Sequence, residues 1–330
     1  MAKAAKNKTA TTKGAVAAKR SIAKPRSAKL MRARNMTFCT LTGTNGPSLG
    51  VKTERGIVDV AKAAALFRIK APCDIHAIIE GADCAPLGKL VEKTLSDSRG
   101  KAALVTEARA KFAPVVPRPE KILCVGLNYR KHAEESGMAV PPVPILFSKF
   151  ANSLSGHGAK IKLLPPEAAT NFDYEVELVI VIGRKAVNVS ETDALKYVFG
   201  YCNGNDLSSR DLQMRTSQWM LGKMQDGFAP IGPWLVTADQ IPNPNALQVE
   251  TRVNGELRQS ENTSDMIYNC AHIVSYCSRY LTLKPGDIIF TGTPSGVILG
   301  HPAEKRVWLK AGDKVSTTIE KLGTLEVTLA

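Results

Sequence analysis

A chain of 330 residues that is 44% hydrophobic can bury an ordinary core, and no run approaches the roughly 20 apolar residues needed for a membrane-spanning helix. The net charge of +14 would suggest a polyanionic partner, but eleven Lys or Arg and no Asp or Glu fall in residues 1–35, leaving 33 basic against 30 acidic residues downstream. That near-neutral body argues against specific nucleic-acid binding, and seven scattered cysteines, never spaced as Cys-x-x-Cys, argue against a disulfide framework or a zinc knuckle.

Residues 1–35, rich in Ala, Lys, Thr and Ser, read as a disordered basic tail dispensable for catalysis. They lack the apolar stretch of a secretory signal and make a poor amphipathic targeting helix, so a cytoplasmic protein is expected. MTFCTL and GVKTERGIVDVA alternate like strands around a turn, and AAALFRI and IHAIIEG read as helices; together they predict a small α+β domain over 36–117. Three prolines in FAPVVPRPEK mark a linker, and a catalytic domain is expected over 118–330.

From Ile122 onward come short β-type runs: ILCVG, PILFSK, EVELVIVIG, VETRVNG, DIIFTG, KVSTTIE and TLEVTL. Helical patterns are confined to DALKYVFGY, the RDLQMRTSQW region and AHIVSYCSRYL. The fold class is therefore α+β and β-rich, a roll with peripheral helices rather than a doubly wound sheet.

FDYEVELVIVIG carries the chemistry. Residues two apart on a strand face the same side, so Glu175 and Glu177 project together, at a cost unless a cation, a proton or solvent relieves the repulsion. A hydrated edge strand is the simpler reading of that pair alone. A third carboxylate, Asp206 in GYCNGNDLSSRD, favours an all-oxygen site for a hard divalent cation such as Mg²⁺, Mn²⁺ or Ca²⁺. In VGLNYRKHAEESG, His132 and Glu135 are three apart, on one helical face, where a carboxylate can orient an imidazole as a general base; a surface His beside an acidic turn is the alternative. Lys223, before a Gly/Pro-rich loop, is a candidate to stabilise an enolate or oxyanion, and Thr293 in LKPGDIIFTGTPSGV a candidate to bind a substrate carboxylate.

In this order, VGLNYRKHAEESG, PILFSKFANSLSG, FDYEVELVIVIG, GYCNGNDLSSRDLQ, GKMQDGFAPIGP, VNGELRQ and LKPGDIIFTGTPSGV resemble the fumarylacetoacetate hydrolase family over roughly residues 119–330. The resemblance implies that family's mixed β-sandwich roll. It implies Mg²⁺ or Mn²⁺ on Glu175, Glu177 and Asp206, water activated by His132 and Glu135, and Lys223 as the active-site lysine. Arg210 and Gln213 are implied as substrate-side residues, with Lys149 and Ser153 lining the mouth. Where the family commonly shows Lys-Ser-Phe-Asp-Thr-Phe, this chain has Lys223, Met224, Gln225, Asp226, Gly227 and Phe228. The expected partners are a small 2-oxo acid and a second copy of the chain in a homodimer, with no membrane. The expected reaction is metal-assisted C–C cleavage of an acylpyruvate-type or 2,4-dioxo acid. Isomerase, hydratase, tautomerase, oxaloacetate decarboxylase and ureidoglycolate lyase chemistry share the same enolate-stabilising site.

Overall fold

The computed structural model describes residues 33–43 and 46–330, so the expected disordered tail lies, over residues 1–32, outside the described residues. The strand Val176–Ile182 is buried at every position, as expected of a strand covered on both faces. It lies in an eleven-stranded mixed sheet, antiparallel to Val198–Asn205 on one side and to Ile288–Phe290 on the other. Its two-residue period divides the core. Val176, Leu178, Ile180 and Ile182 pack with Val249, Ile319 and the helix Cys270–Tyr280, whereas Val179 and Val181 pack with Val58, Ile78 and Leu87 near the N-terminus. A second, five-stranded sheet runs in the order Glu256–Asn262, Gln248–Val253, Lys314–Ile319, Gly323–Leu329, Lys160–Ile161. The fold is thus mixed α+β and sheet-rich, as expected.

The strand Thr37–Gly43 pairs antiparallel with Ala229–Thr237, and the Thr40 hydroxyl donates to Val115 O at 2.9 Å. One sheet therefore crosses the proline-marked boundary between the two expected domains. No described helix is long and apolar enough to cross a membrane.

Two segments differ from expectation, and a third carried none. DALKYVFGY is not one helix: Glu191–Ala194 is helical, Leu195–Tyr197 is a 3-10 turn, and Val198 begins a fully buried strand. The β-branched and aromatic side chains of that second half gain more by packing inside the sheet than by extending a short helix. The Gly/Pro-rich loop expected after Lys223 ends earlier than GKMQDGFAPIGP suggests, because APIGP opens the buried strand Ala229–Thr237. Pro233 falls where the register against Val198–Asn205 shifts between Cys202 and Gly204, so its missing N–H costs little. Ala85–Ser96, whose Pro86 and Gly88 obscure a helical pattern, is a helix burying Leu87, Leu90 and Thr94. Pro86 is tolerated there because it lies in the first turn.

At Gly200 an added Cβ would collide with the backbone carbonyl of Val236 on the adjacent strand. Gly200→Ala is expected to lower the unfolding free energy by about 1–3 kcal/mol through overpacking. A melting temperature equal to that of the parent chain would contradict this close approach.

Candidate active site

The antiparallel pairing of Val176 with Asn205 brings two strand ends to the same place. Glu177 lies in the first strand, Glu175 one residue before it, and Asp206 one residue beyond the second, with Asp206 N donating to Glu175 O at 2.9 Å. One carboxylate oxygen from each of Glu175, Glu177 and Asp206 lies within 4.8 Å of the others, and all three residues are buried.

Three buried cations and a fourth carboxylate surround the cluster. Lys223 Nζ lies 2.7 Å from Glu175 Oε2 and 3.0 Å from Asp206 Oδ2. Lys149 Nζ pairs with Asp206 Oδ1 and donates to Phe228 O at 2.8 Å and Leu207 O at 3.2 Å. Arg210 bridges Glu175 Oε1 and Asp173 Oδ2, each at 2.8 Å. Asp173 also accepts the backbone N–H groups of Ile298 and Leu299. Among the described residues, Glu177 receives only the Gly292 N–H, at 2.6 Å.

Four carboxylates against three cations leave one negative charge, and Glu177 bears the strain. Burial pushes its pKa well above the usual carboxylate range, and Asp206 and Glu175 push it further. Burial alone would raise Glu175 too, yet Lys223 and Arg210 outweigh it and hold that group at about 2. Buried all-oxygen donors with one charge uncompensated fit a hard divalent cation.

His132 and Glu135 come from the helix Arg130–Glu135, which follows the strand Ile122–Gly126. His132 Nδ1 is 2.7 Å from Glu135 Oε1. A carboxylate only accepts, so Nδ1 carries a proton, and in the neutral imidazole Nε2 is then the basic nitrogen. Glu135 Oε2 accepts the Gly296 N–H at 2.9 Å, which fixes the dyad against the TPSG loop. The dyad, Glu175 and Glu177 line one cavity of about 480 Å³, with Phe147 and Trp219 among its apolar walls.

Of the residues expected from sequence, this cavity brings together His132, Glu135, Glu175, Glu177, Arg210, Gln213, Lys223 and Thr293. Asp206 belongs to the cluster through its oxygen contacts. Lys149 and Ser153 do not line the mouth. Lys149 lies behind the cluster because its ammonium is consumed by Asp206 and two carbonyls, and Ser153 is buried with its hydroxyl donating to Phe150 O at 2.6 Å. Two residues were missed. Asp173 stands two before Glu175, so the alternation Asp-x-Glu-x-Glu was its signal. Arg306 lines the cavity with Nε donating to His301 O at 2.8 Å and no carboxylate partner among the described residues; nothing in its neighbourhood in sequence marks it.

A sheet-rich fold thus combines a buried carboxylate triad that could hold a cation with a His–Glu dyad lining the same cavity as Glu175 and Glu177. Residues 121–330 match the family described as Fumarylacetoacetate (FAA) hydrolase C-terminal, and the chain belongs to that family. It is 40% identical over 301 residues to a fumarylacetoacetate hydrolase domain-containing protein 2 homolog of Dictyostelium discoideum, covering 88% of this chain and 95% of the other. It is 45% identical over 223 residues to a mitochondrial oxaloacetate tautomerase of Rattus norvegicus, covering 67% and 70%. Among solved structures, a putative HpcE protein from Mycobacterium smegmatis superposes with TM-score 0.73 at 34% identity, over 89% of this chain and 99% of that one. Fumarylpyruvate hydrolase from Pseudomonas aeruginosa, in complex with Mn²⁺ and pyruvate, gives TM-score 0.58 at 36% identity over 64% and 90%.

In metal-free protein the raised Glu177 pKa means that the folded state holds a proton the unfolded chain releases near 4.5, so this group makes stability fall as pH rises above that value. Glu175 acts oppositely: its stabilisation is present above 4.5 and is lost as pH falls toward about 2. Glu177→Gln is therefore expected to melt above the metal-free parent by a margin that grows from about pH 5 to about pH 8, and to lose Mn²⁺ binding by calorimetry. A variant that is less stable at every pH, or that binds Mn²⁺ normally, would refute the charge balance described here.

Proposed function

We propose that this protein is a divalent-metal-dependent enzyme that interconverts the enol and keto forms of a short 2-oxo dicarboxylic acid of the oxaloacetate type. The observation that carries the reading is the His132–Glu135 pair, 2.7 Å apart, lining the same cavity as Glu175 and Glu177. The tautomerase relatives support it.

Glu175, Glu177 and Asp206 would hold Mg²⁺ or Mn²⁺, which when bound polarises a 2-oxo group as a Lewis acid. His132 Nε2 takes the C3 proton of the keto form to leave an enolate, whose oxygen then takes a proton from the imidazolium or from solvent to give the enol. In the reverse direction the enol O–H loses its proton and the imidazolium protonates C3, while Glu135 holds the imidazole and offsets its positive charge. Lys223, buried and kept charged by Asp206 and Glu175 against the effect of burial, stabilises negative charge on the neighbouring oxygen. Thr293 and Gln213 bind the 2-oxo carboxylate, and Arg306 takes the far carboxylate. The seven free cysteines support a reducing compartment, which the names of the mitochondrial relatives extend to an organelle matrix.

A second reading, C–C hydrolysis of an acylpyruvate, is favoured by the cavity, whose 480 Å³ exceeds the needs of a four-carbon acid, and by the fumarylpyruvate hydrolase neighbour. In that reaction His132 Nε2 would take its proton from water attacking the distal carbonyl. Following enol-oxaloacetate decay and pyruvate release from acylpyruvates side by side, with Mn²⁺ and with chelator, decides between the two. The proposal expects metal-dependent enol decay, with His132→Gln lowering kcat by about 100-fold or more while oxalate still binds. Arg306→Met should raise KM for oxaloacetate about tenfold and leave pyruvate binding within about twofold. Undiminished turnover in His132→Gln, or pyruvate release from acylpyruvate without enol decay, would remove the tautomerase reading.

A further inference from the structure

A hydroxyl either gives or accepts a hydrogen bond, and its role toward a ligand is decided by its other partner. Thr293, on the cavity wall, has Oγ1 2.9 Å from Gln259 Nε2. The two ends of an amide are interchangeable in shape, but here both are fixed by partners with a single possible role. The Val176 N–H can only donate, and it lies 3.1 Å from Gln259 Oε1. The Pro294 carbonyl can only accept, and it lies 2.9 Å from Nε2. The Thr251 hydroxyl adds a second donor to Oε1 at 2.7 Å. Nε2 therefore faces Thr293, and Thr293 Oγ1 accepts. Its own hydrogen is left over, and no acceptor among the described residues takes it. Gln259, Thr251 and Thr293 are 1%, 0% and 3% exposed, so bulk water does not compete for these bonds.

We propose that Gln259 is a positioning residue that locks the Thr293 hydroxyl as a hydrogen-bond donor toward the cavity. That wall then selects an anionic oxygen, such as the carboxylate of a 2-oxo acid, over a group that would itself donate. The inference rests on the 2-oxo acid reading above. It also ties ligand selection to the segment bearing Glu175 and Glu177, because Val176, which orients the amide, stands between them.

The test uses Mn²⁺-loaded full-length protein and oxalate as the probe of the 2-oxo carboxylate end, with both affinities measured by calorimetry. Thr293→Val should weaken oxalate about tenfold, the worth of one hydrogen bond to a charged group, and Thr293→Ser should stay within about threefold of the parent. In Gln259→Glu the new carboxylate still accepts from Val176 and Thr251 but cannot donate to Thr293, whose hydroxyl turns toward it. Oxalate should weaken about tenfold in the Thr293 parent, yet by less than about twofold in a Thr293→Val background, with Mn²⁺ affinity within about twofold throughout. If Gln259→Glu does not fold, Gln259→Met, which frees the hydroxyl without reversing it, should cost about threefold, again only while Thr293 is present.

Equal losses in both backgrounds would mean that Gln259 acts by charge or by structure, and would overturn the proposal. So would an unchanged oxalate affinity in Gln259→Glu while Thr293→Val is impaired. An unchanged affinity in Thr293→Val would instead overturn the 2-oxo acid reading, and the proposal with it.

Discussion

Four carboxylates, Asp173, Glu175, Glu177 and Asp206, are buried together with three cations, Lys149, Arg210 and Lys223. Burying an ionic group is costly unless it is paired and hydrogen-bonded. Asp173, Glu175 and Asp206 satisfy that condition with partners from three separate chain segments, and Glu177 does not. With Glu177 ionised, a divalent cation would turn the net charge of the group from one negative to one positive, and a single ligand carboxylate would then neutralise it. Cation and anionic ligand thus become mutually dependent occupants.

The segment Gly292–Gly296 carries that dependence across the cavity. Gly292 N–H holds Glu177, Thr293 and Pro294 O meet Gln259, and Gly296 N–H holds Glu135. Both glycines adopt φ of +97°, and a Cβ on Gly292 would lie 2.7 Å from Asn128 Cβ. Side chains are excluded there both by conformation and by the neighbouring wall. Five residues therefore set the distance between the carboxylates and the general base.

Strand alternation made much of the site legible, because the period of two in FDYEVELVIVIG is a local property. His132 and Glu135 were legible for a similar reason, since three residues of helix bring them together. Asp206, 29 positions from Glu177 with no periodic relation to it, was legible only as a further carboxylate in GYCNGNDLSSRD, and the resemblance then joined it to the pair. Lys149 was assigned to the mouth by the resemblance alone; its burial follows from an ion pair across 57 residues, which no local pattern encodes. Gln259 lies in a motif singled out only for its resemblance, and its importance appears when the second sheet docks it against Val176 and Thr293. In the fold, DALKYVFGY and the Gly/Pro-rich APIGP were misread where burial within a sheet outweighed local preference.

The central claim is that the uncompensated charge at Glu177 makes this cluster a cation site. Anomalous scattering from crystals of the full chain grown with Mn²⁺ and oxalate addresses it directly. The account predicts one strong peak bonded to oxygens of Glu175, Glu177 and Asp206, with oxalate completing its coordination beside Thr293. A peak held by other residues, or an empty cluster with Glu177 protonated at saturating Mn²⁺, would contradict it.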